Sequence, residues 1–242
     1  MIDLHCHILA GIDDGAKSID EALALIRLAE QQGVSRMVAT PHIHIGIFDN
    51  NLQTISTAFT ALTQAAKQSA LNVELYAAAE VRIAPEIPMF IEQQQLPFLG
   101  RFDNHDVLLL ELPSSHIPAG TDNLINWLLA RNVLPMIAHP ERNRELQSYP
   151  ERLNAFVQAG CLFQLTASSL LGDMGASAKH LSEHWIKQRV YSIVASDCHS
   201  TKRRPPKMAE ATQFIATLTA GDYAEQISTI TPKLISDALG KH

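Results

Sequence analysis

The sequence predicts an α/β protein in which short parallel strands alternate with helices around a closed or nearly closed barrel. Apolar runs of strand length recur along the chain, helical stretches separate them, and roughly seven strand-then-helix units follow one another. Apolar residues make up 46 % of the 242 residues, enough for a sizeable core. A doubly wound open sheet is the competing topology, and the residue pattern does not choose between the two.

The strand candidates are continuous apolar runs rather than strict alternations of apolar and polar residues. Such runs are typical of parallel strands that are covered on both faces. In chain order they are MIDLH, VSRMVAT, VELYAAAE, DVLLLEL, VLPMIAH, CLFQLT and VYSIVASD.

The helix candidates lie between these strands and repeat their apolar residues at helical spacing. Ser18 is placed to cap the first helix, and Gly33 is placed to end it. The predicted helices are IDEALALIRLAEQQ, LQTISTAFTALTQAAKQSA, IPMFIEQQQ, TDNLINWLLARN, PERLNAFVQAG, SAKHLSEHWIKQ and PPKMAEATQFIATL, with a C-terminal helix near PKLISDALG. Because no repeat or linker interrupts the alternation, we expect one domain over residues 1–242.

Composition narrows the class of protein. The three cysteines, Cys6, Cys161 and Cys198, show no CxxC spacing, which argues against a disulfide framework and favours a reducing compartment. The net charge of −6 is unlike that of a nucleic-acid-binding protein. No apolar run reaches the roughly 18–20 residues of a membrane span, and no signal-peptide pattern opens the chain. A cytoplasmic location with no nucleic-acid partner is therefore expected.

Side chains that can bind metal ions follow almost every predicted strand. The sixth strand candidate, CLFQLT, is the exception. The others end in polar residues at His5, His7, His42, Glu80, Glu111, His139, Asp197 and His199.

In a parallel barrel the carboxyl ends of all strands meet at one face, so these residues are expected to converge there. Since successive strand residues alternate sides, His5 and His7 share a side and Cys6 points away. Any one of these histidines alone is explained by an ordinary structural role, and an HxH motif alone is weak evidence for a metal site. Several buried ionisable groups together, however, need a cation to offset their desolvation. Nitrogen and oxygen ligands alone suit Mn, Fe or Zn, and their number predicts more than one ion.

The motifs HCH near the start, TPH, a mid-chain glutamate, HPER and SDCH together resemble the polymerase and histidinol phosphatase (PHP) superfamily. The stretches MIDLHCHILAGIDDGAKS, LLLELP and AHPERN narrow the resemblance to the bacterial manganese-dependent tyrosine-protein phosphatases of capsule and exopolysaccharide operons. The resemblance extends from the N-terminus to about Pro206.

The resemblance implies a distorted TIM-like (β/α)7 barrel of PHP type that holds three divalent metal ions. Manganese is the expected metal, with Fe, Zn, Mg and Co as alternatives. The implied ligands fall into three sets. They are His5, His7, Glu80 and Asp197 for one ion, Glu80, Glu111 and His139 for a second, and His42, His199 and Asp14 for the third, with Asp13 as the alternative to Asp14.

The resemblance also implies two phosphate-contacting arginines, Arg142 of HPER and Arg204 of SDCHSTKRRP, although Arg203 beside Arg204 leaves a one-residue ambiguity. The chain departs from the family pattern at His44 and His116. Both are interpreted as ordinary surface histidines, and a metal-binding His44 would change the third ligand set.

The implied function is a metal-dependent phosphoesterase that acts on phosphotyrosine in a cytoplasmic tyrosine kinase of polysaccharide export. Two ions roughly 3.5–4 Å apart can activate a hydroxide for direct attack on phosphorus. The arginines then hold the phosphoryl oxygens, and His42 or a metal-bound water is the candidate proton donor to the leaving group. The alternatives are a histidinol-phosphatase-like enzyme, an exonuclease-like role and a non-catalytic metal-binding module. The sequence does not reveal the oligomeric state.

A cysteine nucleophile is the rival mechanism. The segment from Cys198 to Arg204 formally fits the Cys-x5-Arg pattern of thiolate phosphatases. It contains no glycine, however, and a loop that wraps its backbone amides around phosphate usually needs one. The sequence therefore favours the metal mechanism.

Overall fold

The computed structural model describes residues 1–219 and 221–240, and it has the expected alternation of strands and helices. The strands are β1 Ile2–Cys6, β2 Arg36–Ala39, β3 His42–Ile43, β4 Glu74–Ala77, β5 Glu80–Arg82, β6 Arg101–Phe102, β7 His105–Glu111, β8 Val133–Ala138, β9 Leu162–Thr166 and β10 Ile193–Ala195. The helices are α1 Ile19–Gln31, α2 Leu52–Gln68, α3 Ile87–Glu92, α4 Thr121–Leu129, α5 Arg144–Ser148, α6 Leu153–Ala159, α7 Ala167–Leu171, α8 Ala176–Lys187, α9 Met208–Leu218, α10 Gly221–Glu225 and α11 Thr231–Ser236.

The strands form two sheets that are parallel throughout, apart from β6, which pairs with β7 in antiparallel fashion. One sheet has the order β1-β2-β4, and the other has the order β10-β9-β8-β7-β5-β3. The edges of the two sheets meet, because Asp197 N donates to His5 O at 2.8 Å and His7 N donates to Cys198 O at 2.9 Å. The fold is thus an α/β arrangement of parallel strands, as the sequence predicts.

Two of the expected strands are each broken in two, and this corrects the position of two candidate ligands. Pro41 lacks an N–H group, so the ladder stops between β2 and β3. Ala78 and Ala79 separate β4 from β5, although Ala78 N still donates to Ala39 O at 2.8 Å. As a result His42 and Glu80 begin the short strands β3 and β5, rather than following the end of a strand.

The helix boundaries agree closely with the periodicity of the sequence. Ser18 caps α1 as predicted, since its Oγ accepts a hydrogen bond from Glu21 N at 3.2 Å. The predicted helix from Pro150 begins instead with a 3-10 turn, and its α-helical part starts at Leu153. The short helices α5, α7 and α10 and a π-helical turn at Gln226–Ile230 were not predicted, because they are too brief to show a period.

Apolar side chains cover both faces of the central strands. Val107 and Leu109 of β7 pack with side chains of other strands, such as Leu4 and Met136. Leu108 and Leu110 of the same strand pack on the opposite face, with side chains of the helices. Glu111 follows Val107 and Leu109 on the inner face, because strand side chains alternate. The apolar interior therefore leads directly to the polar side chains at the carboxyl ends of the strands.

Within the described residues, no helix combines the length and apolar character that crossing a bilayer requires.

Candidate metal centre

The first part of the site is built by the motif His5-Cys6-His7 at the end of β1. His5 and His7 are fully buried, and their Nε2 atoms lie 3.2 Å apart. Glu80 Oε2 lies 3.2 Å from His5 Nε2 and 3.3 Å from His7 Nε2, and Asp197 Oδ1 lies 3.4 Å from both. Cys6 faces away, and its Sγ donates to Val38 O. Four ligand-type atoms from three distant chain segments therefore surround one point.

Glu80 connects this group to a second one. Its Oε1 lies 2.8 Å from His139 Nε2, while its Oε2 faces His5, His7 and His42. Glu111 Oε2 lies 3.8 Å from His42 Nδ1, which brings a second carboxylate to the same side. A carboxylate whose two oxygens face different imidazoles has the geometry of a ligand shared by two ions.

The third group lies where the loop after β1 approaches β3. Asp14 Oδ1 lies 3.4 Å from His42 Nε2 and 3.2 Å from His199 Nε2. Together with His7, these residues form a cluster whose ligand atoms all lie within 4.8 Å of one another. The Asp14 carboxylate is half exposed, so the site opens to solvent on this side.

The geometry separates Asp13 from Asp14. Asp13 Oδ2 accepts a hydrogen bond from His7 Nδ1 at 2.8 Å and from His42 N at 3.2 Å, and its Oδ1 accepts from Gly15 N at 2.9 Å. Asp13 thus orients an imidazole, a contact that ligating histidines commonly make, while Asp14 faces the imidazole nitrogens.

The donor set fits divalent cations. Among the buried polar atoms without a hydrogen-bond partner are His42 Nδ1, Glu80 Oε2, Glu111 Oε2 and His199 Nε2, which all point into the cluster. Burying such atoms without partners costs free energy, and cations at the cluster centre would provide the missing interactions. The ligand atoms are nitrogen and oxygen alone, a set suited to Mn, Fe or Zn.

The electrostatics of the cluster show why charge compensation is needed. Burial favours the neutral form of Glu80, but His5 and His42 outweigh burial and hold the pKa of Glu80 well below its usual range. Burial, reinforced by the charge of Glu80, raises the pKa of Glu111 to about 7. Burial and the nearby Arg142 lower the pKa of His139 to about 4, which leaves the imidazole neutral and able to bind a cation.

The two predicted arginines meet at one carboxylate oxygen. Arg142 Nη1 and Arg204 Nη2 both donate to Asp197 Oδ2, and both side chains are about a quarter exposed. Arg203 is exposed instead, which selects Arg204 as the arginine at the site. His139 and Asp197 adopt positive φ angles of 31° and 51°, a strained conformation that is concentrated at functional sites.

His44 and His116 lie outside these groups. His44 takes part in the tight turn that pairs it with Phe48, and His116 is exposed beside Ser115. Neither belongs to a candidate metal-binding group among the residues that the structure describes. The interpretation of both as ordinary surface histidines remains a prediction.

Sequence reasoning missed the residues that support the ligands. Gln164 Oε1 accepts from the backbone N–H of His139 at 3.1 Å and lies 3.0 Å from His5 Nδ1, so one side-chain amide holds the backbone of His139 and the imidazole of His5. The sequence did point to Gln164, because it is a polar residue inside the apolar run CLFQLT, the one predicted strand that no ligand-type residue follows. Asp3 gave the same signal inside MIDLH, and its Oδ1 accepts from His5 N at 3.3 Å and from Ser196 N at 2.9 Å. Arg82 gave no such signal, because its partner Glu111 is brought close only by the fold.

Replacing Gly15 by alanine is expected to disrupt the loop that carries Asp13 and Asp14. An added Cβ would lie 2.2 Å from His7 O and 2.5 Å from His7 Cβ, so the loop must move. We expect metal content to fall by at least about 10-fold, in the range seen when supporting contacts are lost. Elemental analysis after dialysis measures this effect.

Gly11→Ala in the same loop is the matched control. Its Cβ would meet nothing within 4 Å, although its φ of 77° carries some strain. Equal metal content in the Gly15→Ala and wild-type proteins would contradict the proposed tight packing of this loop.

A parallel α/β fold with a buried cluster of imidazoles and carboxylates is an arrangement found in metal-dependent hydrolases. The profile of the capsular polysaccharide synthesis family CpsB/CapC matches residues 1–236. The chain belongs to this family, which confirms the resemblance found in the sequence.

Individual relatives agree with this assignment. The chain is 36 % identical over 205 residues to the putative tyrosine-protein phosphatase CapC of Staphylococcus aureus, which covers 85 % of the chain and 79 % of the relative. It is also 33 % identical over 204 residues to the tyrosine-protein phosphatase YwqE of Bacillus subtilis. This match covers 84 % of the chain and 79 % of the relative.

The fold also matches a solved structure. The match is a chain from the crystal structures of YwqE from Bacillus subtilis and CpsB from Streptococcus pneumoniae, described as unique metal-dependent tyrosine phosphatases. It superposes with a TM-score of 0.89 and 29 % identity over 98 % of this chain and 95 % of the other.

Proposed function

We propose that this protein is a metal-dependent protein-tyrosine phosphatase of capsular or extracellular polysaccharide synthesis. Its substrate is phosphotyrosine on a cytoplasmic bacterial tyrosine kinase that controls polysaccharide export. The observation that carries the proposal is the convergence of histidines and carboxylates around Glu80, beside two arginines. The named tyrosine phosphatases among the relatives support the substrate class, and they give no support to histidinol phosphate as the substrate.

The proposed cofactors are three divalent ions, with manganese as the expected metal. His5, His7, Glu80 and Asp197 would hold one ion, and Glu80, Glu111 and His139 a second. Asp14, His42 and His199 would hold the third. Overlapping clusters of ligand atoms drawn from these residues support more than one ion, although they group His139 with His5 and Asp197, and Glu111 with His42 and Glu80. When bound, the ions supply an activated water and neutralise the charge of the phosphoryl group.

Arg142 and Arg204 are proposed to bind the phosphoryl oxygens. Their partial exposure beside the cluster leaves them within reach of a ligand, and a guanidinium fork can donate two parallel hydrogen bonds to a phosphate. In the structure both arginines bind Asp197, so they are already held at the edge of the cluster. The same contacts orient the Asp197 carboxylate.

His42 has two proposed roles that compete, as a metal ligand and as a proton donor to the leaving phenoxide. Both of its ring nitrogens face carboxylates, of Glu80 on one side and Asp14 on the other. A ring nitrogen that binds a cation carries no proton. A tyrosine phenoxide, whose conjugate acid has a pKa of about 10, is a good leaving group and needs little help from a proton donor. We therefore favour the role of His42 as a ligand.

The open face of the site supports a protein substrate. Asp14 is half exposed, whereas the Glu80 side chain is 1 % exposed, so the cluster is reached from the Asp14 side. A cavity of about 410 Å³ at the same end of the strands is lined by Ile83, Trp127 and several prolines rather than by the candidate ligands. A buried cluster that is open to solvent at Asp14 and lies beside two partly exposed arginines is compatible with a phosphorylated side chain that a protein presents.

We also propose that the strands close into a barrel and that the chain forms one domain. The hydrogen bonds between β1 and the segment after β10 support a closed, distorted TIM-like (β/α)7 barrel of PHP type. The packing of Ile235 in α11 with strand residues such as Leu4 supports one domain over residues 1–242.

Chelation is the direct test of the metal mechanism. Removing the metal should abolish hydrolysis of an aryl phosphate, and adding Mn²⁺ should restore it. The restored enzyme should turn over a phosphotyrosine peptide faster than histidinol phosphate or single-stranded DNA. Activity that survives chelation, after elemental analysis has verified metal removal, would contradict the metal mechanism. Preference for histidinol phosphate would contradict the substrate proposal.

A Cys198→Ser variant in the same assay tests the thiolate rival. Cys6 and Cys198 are fully buried, and burial raises the pKa of the Cys161 thiol to about 12. Burial also raises the pKa of the Cys6 thiol, so neither Cys6 nor Cys161 is a reactive thiolate at neutral pH. The variant should keep most of the activity, and near-complete loss would favour the cysteine mechanism.

A further inference from the structure

Arg82 lies directly opposite Glu111 in the pairing of β5 with β7. Its Nη2 donates to Glu111 Oε1 at 3.0 Å, and its Nη1 donates to Leu112 O at 3.2 Å. The backbone is fixed at the same place, because Ile83 N donates to Glu111 O at 2.9 Å. The guanidinium therefore has a defined position relative to the Glu111 carboxylate.

The two oxygens of Glu111 have different surroundings. Oε1 is hydrogen-bonded to Arg82, whereas Oε2 is buried and has no hydrogen-bond partner. Arg82 Nε lies 2.9 Å from Oε2, so the guanidinium forms an ion pair with this oxygen as well. Oε2 also lies 3.8 Å from His42 Nδ1, in the cluster with His42 and Glu80. Arg82 thus holds the carboxylate through both oxygens, while Oε2 still faces the cluster.

Two effects of Arg82 on cation binding oppose each other. Its positive charge repels a cation that Glu111 would bind. Its hydrogen bonds, on the other hand, remove the rotational freedom of a long side chain and hold the carboxylate in the binding orientation before any ion arrives. The guanidinium is anchored on both Glu111 and the Leu112 carbonyl, so it can hold this orientation before an ion arrives.

We propose that Arg82 is a positioning residue that presents Glu111 Oε2 to a metal ion and thereby determines how fully that ion's position is occupied. The proposal rests on the proposed function, since it takes Glu111 as a metal ligand. Arg82 contacts no candidate ligand apart from Glu111 within the described part of the chain. Its removal should therefore affect one ion more than the others.

Arg82→Met and Arg82→Lys test the proposal by equilibrium dialysis against Mn²⁺ followed by elemental analysis. The methionine keeps an apolar stem and removes both the charge and the donors. We expect it to weaken the binding of one Mn²⁺ by about 10- to 100-fold, as is typical when a residue that supports a ligand is lost. The lysine keeps the charge and one donor nitrogen but lacks the fork that reaches two acceptors, so we expect a smaller loss.

Arg203→Met is the matched control, because Arg203 is exposed at the same end of the molecule and should leave Mn²⁺ binding unchanged. If Arg82→Met binds as much Mn²⁺ as the wild type, or more, the repulsion by charge dominates and the proposal is overturned. If Arg82→Met does not fold, wild-type Mn²⁺ binding by Arg82→Lys overturns it instead. A wild-type protein that binds no Mn²⁺ would contradict the proposed function itself.

Discussion

Replacing Glu80 by glutamine should nearly abolish both metal binding and phosphatase activity. The Glu80 carboxylate lies within 3.3 Å of ring nitrogens of His5, His7, His42 and His139, so it contacts more of the cluster than any single imidazole does. Glutamine has nearly the same volume but carries no charge, and its NH₂ group cannot bind a cation. We expect Mn²⁺ affinity to fall by more than about 100-fold.

Turnover of an aryl phosphate should fall by about 10³-fold in the same variant, equivalent to ~4 kcal/mol of activation free energy. Elemental analysis and kcat at saturating Mn²⁺ measure the two effects separately. Glu151→Gln makes the same chemical change at an exposed position and should behave as the wild type. If Glu80→Gln retains both its metal content and more than a tenth of the activity, Glu80 is not the shared ligand.

Lysine at Arg142 or Arg204 should lower kcat/KM for aryl phosphates while leaving the metal content largely intact. Lysine keeps the positive charge but lacks the planar fork that donates two hydrogen bonds to one phosphoryl group. Removing a donor to the developing charge typically costs about 10²- to 10³-fold in rate, and we expect a loss of that size for each variant. Steady-state kinetics with elemental analysis of the same samples measure it.

The neighbouring Arg203 provides the control for this experiment. Arg203→Lys changes an exposed side chain one residue from Arg204 and should leave kcat/KM unchanged. Losses below about threefold at both Arg142 and Arg204 would show that neither arginine contributes to transition-state binding. A parallel loss of metal would show that their main role is to orient Asp197.

Most of the secondary structure could be predicted because its cause is local. The apolar run before His139 becomes β8, and the periodic residues after Ser18 become α1, since each pattern needs only its own neighbours to act. The breaks at Pro41 and at Ala78–Ala79 were not predicted, although Pro41 was visible. A strand interruption depends on whether the neighbouring strand still offers a hydrogen-bond partner.

The ligand-type residues could be named from the sequence because parallel strands bring their carboxyl ends together. The choice between Asp13 and Asp14 could not be made, because adjacent residues in a loop have no fixed periodicity. The tertiary structure separates them by which carboxylate His7 Nδ1 contacts. The same holds for Arg204 over Arg203, which depends on the turn that pairs Ser200 with Arg204.

The amino-acid sequence by itself determined the alternation of strands and helices, the chemical nature of the candidate ligands and the family to which the chain belongs. These depend on residue type and spacing along the chain. Only the tertiary structure decided that Gln164 supports His5 and His139 and that Arg82 binds Glu111. The reason is physical, because a contact between strands depends on their register, and register is set by the packing of the whole sheet.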